Sequence, residues 1–116
     1  MLCDDSRSLA TLVDAWLEGH DDLEFVGAVH DAEACPAGVA AARPDVVLLD
    51  PMGNPHDSTL LDAIRATCPG TRVIVYSGYV GLLGAAGIPL EPDAFLDKDV
   101  EGPALVAAIR SVAASA

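Results

Sequence analysis

The chain has 116 residues, enough for one sizeable core and too few for two ordinary domains, so residues 1–116 are read as a single domain. Apolar residues make up 52 % of it, yet no run approaches the roughly 18 apolar residues a membrane span needs, and no basic, apolar leader opens the sequence. A net charge of −12 argues against nucleic-acid contacts, which need clustered Lys and Arg; the expectation is a cytoplasmic protein that binds neither nucleic acid nor membrane.

A short apolar run, residues 1–3, predicts a first strand that leads into Asp4-Asp5-Ser6. Leu9, Leu12, Val13, Trp16 and Leu17 then recur at helical spacing, and Gly19 closes the amphipathic helix they predict. Residues 23–29 predict a second strand and residues 32–42 an Ala-rich helix, in which Pro36 is tolerable only near the first turn. Residues 46–49, VVLL, form a continuous β-rich run of the kind that is buried on both faces of a parallel sheet. A Gly/Pro/Asn loop over 51–56 comes next, with Asp57 or Ser58 as cap of a helix reaching about Thr67. Residues 73–76 predict a fourth strand. Between Gly78 and Pro92, repeated Gly and Pro leave room for little more than two helical turns, so the fourth helix is expected to be short, irregular or mobile. Residues 94–96 predict a fifth strand, and Pro103 opens a final helix with Leu105, Val106, Ile109 and Val112 as its buried stripe.

Strands alternating with helices argue for βαβ units and an α/β fold. The expected architecture is a flavodoxin-like doubly wound parallel sheet of five strands, order 2-1-3-4-5, with the switch point between the first and third strands. Cys3, Cys35 and Cys68 are odd in number and form no CxxC pair, which fits reduced, mostly buried thiols. His20, His30 and His56 show no ligand spacing and read as loop or surface residues.

Five polar residues sit where apolar runs stop: Asp4 and Asp5, Asp50, Ser77, and Lys98, which is the only lysine in the chain. In a parallel sheet they gather at the carboxyl edge, where open α/β sheets bind ligands. Two like charges about 5 Å apart at an effective dielectric of about 20 repel by roughly 3 kcal/mol, so three clustered carboxylates raise one another's pKa or recruit a cation. Hard oxygen donors favour Mg²⁺ or Mn²⁺. An Asp in such a group can act as nucleophile toward a phosphoryl group, with the Ser77 hydroxyl and the Lys98 ammonium serving the new oxygens.

The acid pair Asp4-Asp5, PDVVLLD ending in Asp50, VIVYSGY carrying Ser77 and FLDKD carrying Lys98 occur in this order along the chain. In that combination the sequence resembles the receiver domain of two-component response regulators, the CheY-like family, over essentially its whole length. The resemblance implies Asp50 as phospho-acceptor, and Asp4 and Asp5 as Mg²⁺ ligands beside Asp50 and the Met52 carbonyl. It implies Ser77 as switch hydroxyl, Lys98 as phosphate-binding lysine and Phe95 as the aromatic that reorients. It further implies a sensor histidine kinase as partner, a homodimer as an outcome of activation, and no enzymatic activity beyond the domain's own phosphorylation and dephosphorylation. The Lys98-Asp99 pair is similar to that of the LuxR/NarL-type transcriptional regulators. Three features depart from the family: few residues before the acids, a compressed loop after Asp50, and the broken fourth helix. The third points any dimer toward the first or the last helix. The competing readings are a pseudo-receiver that binds partners without phosphorylation, and an aspartate-nucleophile phosphatase of the haloacid dehalogenase type. The latter wants a second Asp two residues after the first, which Asp50-Pro51-Met52 lacks.

Overall fold

Apolar runs bounded by polar or turn residues pair as parallel strands in the computed structural model, which describes residues 1–50, 59–78 and 92–114. β1 (Leu2–Cys3), β2 (Ala28–Val29), β3 (Val46–Leu49), β4 (Arg72–Ser77) and β5 (Ala94–Asp97) form one sheet in the order β2-β1-β3-β4-β5. Leu2 lies opposite both Ala28 and Leu48, Leu49 opposite Val75, and Tyr76 opposite Leu96. The helices α1 (Arg7–Leu17), α2 (Cys35–Ala42), α3 (Thr59–Thr67) and α4 (Gly102–Ala114) complete the flavodoxin-like doubly wound fold that the alternation implied. The expected irregular fourth helix and the Asp57 or Ser58 cap lie outside the described residues.

Alternation along the strands feeds two cores. Leu2, Leu48, Ile74 and Tyr76 pack against Val13 and Leu17 of α1 and against Leu105, Val106, Ile109 and Val112 of α4. Cys3, Val47, Leu49, Val73 and Val75 pack against Cys35 and Val39 of α2 and Leu61 and Ile64 of α3. All four residues of β3 are buried, as a strand covered on both faces requires. The cysteines are free thiols; Cys3 and Cys35 are fully buried, and the neighbouring Cys35 thiol together with burial pushes the Cys3 thiol up and keeps it protonated.

Local chemistry sets the ends of the elements. The Ser6 hydroxyl caps α1 by accepting from the Leu9 N–H at 3.2 Å. A 3-10 turn, Ala32–Ala34, precedes α2 and is capped by Asp31, whose carboxylate accepts from Glu33 N–H at 3.0 Å. The predicted helix over 32–42 is therefore two pieces, with Pro36 in the first turn of α2, where its missing N–H costs nothing.

The second strand is shorter than its sequence pattern. Residues 23–29 are apolar enough for a strand, but only Ala28 and Val29 pair with β1. β1 offers just two residues to pair with, and Gly27 adopts φ +142, a conformation that side-chain-bearing residues avoid. Leu23 and Phe25 still pack against the α1/α4 core, which is the apolar signal the sequence carried.

Helices α1 and α4 meet where Gly102 lies against the Trp16 indole: a Cβ on Gly102 would fall 2.5 to 2.9 Å from three ring atoms. Gly102→Ala is expected to cost about 1–3 kcal/mol, as overpacked contacts do. Urea denaturation followed by fluorescence of Trp16, the sole tryptophan, checks this; an unchanged midpoint would mean that the two helices do not meet so closely.

Candidate functional site

Parallel pairing places the carboxyl ends of all strands at one edge, and the backbone ladder continues past the strands to fix the first residues beyond them. Asp4 N–H donates to Val29 O at 3.0 Å, Asp50 N–H to Cys3 O at 2.9 Å, and Lys98 N–H to Ser77 O at 3.2 Å. Asp4, Asp50 and Lys98 are thus held at one level over β1, β3 and β5.

Each of Asp4, Asp5 and Asp50 presents a carboxylate oxygen within 4.8 Å of the others. Asp4 is wholly buried, Asp50 half-buried and Asp5 exposed. Asp4 Oδ1 accepts from Ser6 N–H at 2.9 Å, an Asx turn that rigidifies the residues leading into α1. Lys98 Nζ donates to Asp50 Oδ2 at 2.5 Å and stands 2.6 Å from Asp4 Oδ2. Partial burial pulls the Lys98 pKa down, but the bonds to Asp4 and Asp50 outweigh it and hold the ammonium above the ordinary lysine range. Asp4 Oδ2, wholly buried, is thus satisfied by the Lys98 ammonium through an ion pair.

Among the described residues three clustered carboxylates face a single ammonium, and one of them, Asp4, is wholly buried with that ammonium against its Oδ2, so the group carries more acid than its one cation balances. That is the need a small divalent cation meets, and a donor set of oxygens alone suits Mg²⁺ or Mn²⁺. The predicted Met52 carbonyl lies outside the described residues.

Ser77 ends β4 with 3 % exposure. Val75 pairs with Phe95, and Ser77 is two residues beyond Val75, so Ser77 and Phe95 share a face of the sheet. Phe95 is 40 % exposed and belongs to neither core. A cavity of about 510 Å³ opens at the opposite, amino end of the strands, lined among others by Met1, Phe25, Asp45 and Val46. The clustered acids and Lys98 do not line it.

Two residues near the acids carried no sequence signal. His30, read as a loop or surface residue, comes directly after β2 and is half-buried, with Nδ1 2.8 Å from the Asp4 carbonyl oxygen. The parallel register could have found it, since Cys3 pairs with Val29 and His30 therefore stands beside Asp4. Tyr76 is wholly buried in the α1/α4 core, and among the described residues its hydroxyl finds no hydrogen-bond partner. Burial pushes its pKa up; Lys98 opposes this, and Asp4 and Asp97 add to it.

An unbonded buried hydroxyl costs about 1–3 kcal/mol. Tyr76→Phe is therefore expected to raise stability by an amount in that range at neutral pH, read as a higher urea midpoint. The folded chain holds the protons of Tyr76 and Lys98 more tightly than their ordinary values of 10.0 and 10.5, so both contribute stability that is lost as pH rises past those values. The alkaline loss should be shallower in Tyr76→Phe than in the wild type.

No protein-family model matches the chain. Among solved structures it is similar to the receiver domain of AraT, a response regulator from Geobacillus stearothermophilus, with TM-score 0.78 and 21 % identity over 97 % of this chain and 89 % of that one. A two-component response regulator of the LuxR family from an Aurantimonas species superposes with TM-score 0.77 and 19 % identity, covering 98 % of this chain and 83 % of the other. A LuxR-family DNA-binding response regulator from Staphylococcus aureus gives TM-score 0.76 and 21 % identity over 97 % and 95 %. The fold of this chain is that of response-regulator receiver domains.

Proposed function

We propose that the chain is the phospho-accepting receiver domain of a bacterial two-component response regulator, phosphorylated on Asp50 by a sensor histidine kinase in a Mg²⁺-dependent reaction. The observation that carries this reading is the Lys98 ammonium held between Asp50 and Asp4 at the carboxyl edge of the sheet, with Asp5 close by. Asp50 supplies the nucleophile: a carboxylate oxygen attacks phosphorus, the bond from phosphorus to the donor's imidazole nitrogen breaks, and an acyl phosphate forms. Asp4, Asp5 and Asp50, with the Met52 carbonyl, would hold Mg²⁺ or Mn²⁺. When bound, the ion supplies the positive charge that offsets the carboxylates and the transferred oxygens. Phosphoryl transfer asks little covalent chemistry of a protein beyond positioning and charge neutralisation. Lys98 is poised to exchange its bond with the Asp50 carboxylate for one with the phosphoryl group.

The new group brings a charge of about −1.5 to −2. Ser77 can donate to its oxygens, and Phe95, on the same sheet face, can follow Ser77 inward as the second state of a two-state switch. Such a switch would change contacts with a partner or with a second copy of the chain. The reading is of a cytoplasmic signalling domain that catalyses only its own phosphorylation and dephosphorylation and does not itself bind DNA. Its net charge of −12 supports the last point, and among the described residues no helix is long and apolar enough to cross a membrane.

Incubation with acetyl phosphate and Mg²⁺, followed by intact mass, tests the proposal. Wild type is expected to gain one phosphoryl group and Asp50→Asn none. An unlabelled wild type at saturating Mg²⁺ would favour a pseudo-receiver, label in Asp50→Asn would move the acceptor elsewhere, and sustained turnover would make the protein an enzyme.

A further inference from the structure

We infer that His30 is a positioning residue of the acid site: its ring Nδ1–H holds the Asp4 carbonyl and thereby sets the direction in which the chain presents Asp5. The inference rests on the reading of Asp4, Asp5 and Asp50 as metal ligands. Its starting point is how little backbone pairing the acids have beneath them. β1 contributes only Leu2 and Cys3 to the sheet, and the ladder to β2 ends with Asp4 N–H on Val29 O at 3.0 Å. The next acceptor on that side is the Asp4 carbonyl. The His30 side chain takes the place a ladder donor would have, with Nδ1 at 2.8 Å.

A carbonyl oxygen only accepts, so Nδ1 carries the hydrogen. The Asp4 carbonyl belongs to the peptide that joins Asp4 to Asp5, and fixing that carbonyl fixes the plane from which Asp5 departs. Asp4 has other restraints: its N–H, its Oδ1 and the Lys98 ion pair. Asp5 is exposed, and among the described residues its carboxylate makes no hydrogen bond that would aim it. His30 therefore acts on Asp5 through the backbone. Groups that orient metal ligands from the second layer typically alter affinity by about 10–100-fold. A tether working through one peptide belongs at the lower end, about tenfold.

The test is a calorimetric Mg²⁺ titration of wild type, His30→Ala and His30→Asn, with Mn²⁺ binding by electron paramagnetic resonance as a second readout. Asparagine places its amide N–H close to where histidine carries Nδ1–H. His30→Ala is expected to bind Mg²⁺ about tenfold more weakly, and His30→Asn to recover most of that loss. Nitrogen-15 chemical shifts of the metal-free wild type should show hydrogen on Nδ1. Equal affinity of wild type and His30→Ala, equal loss in both variants, or a neutral ring protonated on Nε2 alone would overturn the role of His30 while leaving the metal reading intact. Absence of Mg²⁺ binding by wild type would overturn the metal reading and this inference with it.

Discussion

Charge balance at the carboxyl edge is the constraint on which the rest of the molecule turns. Asp4 is wholly buried, and a buried carboxylate without a partner is among the costlier things a fold can hold. Lys98, reaching from the end of β5 to Asp4 at the end of β1 and Asp50 at the end of β3, answers that cost with one side chain. For the reach to work, β1, β3, β4 and β5 must all be parallel and in register. The two cores exist to secure this: α1 and α4 press one sheet face, α2 and α3 the other. The ammonium offsets only part of the local charge, so the same arrangement that lets the chain fold leaves it receptive to further positive charge.

The fold was legible where burial is two-sided and illegible where pairing depends on a neighbour. VVLL at residues 46–49 is a strand on composition alone, and it is buried throughout. Residues 23–29 look equally apolar, but a strand extends only as far as its neighbour, and β1 is two residues long. Apolar content told correctly that Leu23 and Phe25 approach the core and said nothing of hydrogen bonding. The register of one strand against another is a tertiary property, invisible in a window of one sequence.

The site divides along the same line. Asp4, Asp50 and Lys98 were legible because polar residues that end apolar runs must collect at one sheet edge. His30 was not, because its significance lies in a register that puts the end of β2 beside Asp4. Tyr76 was hidden for the opposite reason: an aromatic within VIVY reads as ordinary core, and only the structure reveals a hydroxyl that finds no partner among the described residues. The roles proposed for Ser77 and Phe95 rest on resemblance; the pairing of Val75 with Phe95 adds that the two share a sheet face.

The brevity of β1 has a consequence for how the molecule comes apart. β1 lies between β2 and β3, so β2 adheres to the sheet only through a strand of two residues, while β3, β4 and β5 are joined over four rungs at each seam. The chain is thus built as a firm half and a loosely stitched one, and partial opening should begin along the line between β1 and β3. Asp4 and Asp5 belong to the loose half, Asp50 and Lys98 to the firm one. Whatever bridges these groups, an ammonium or a metal ion, also sutures the two halves. Amide exchange in the loose half would then report occupancy of the site, and ligation and cohesion become one measurement.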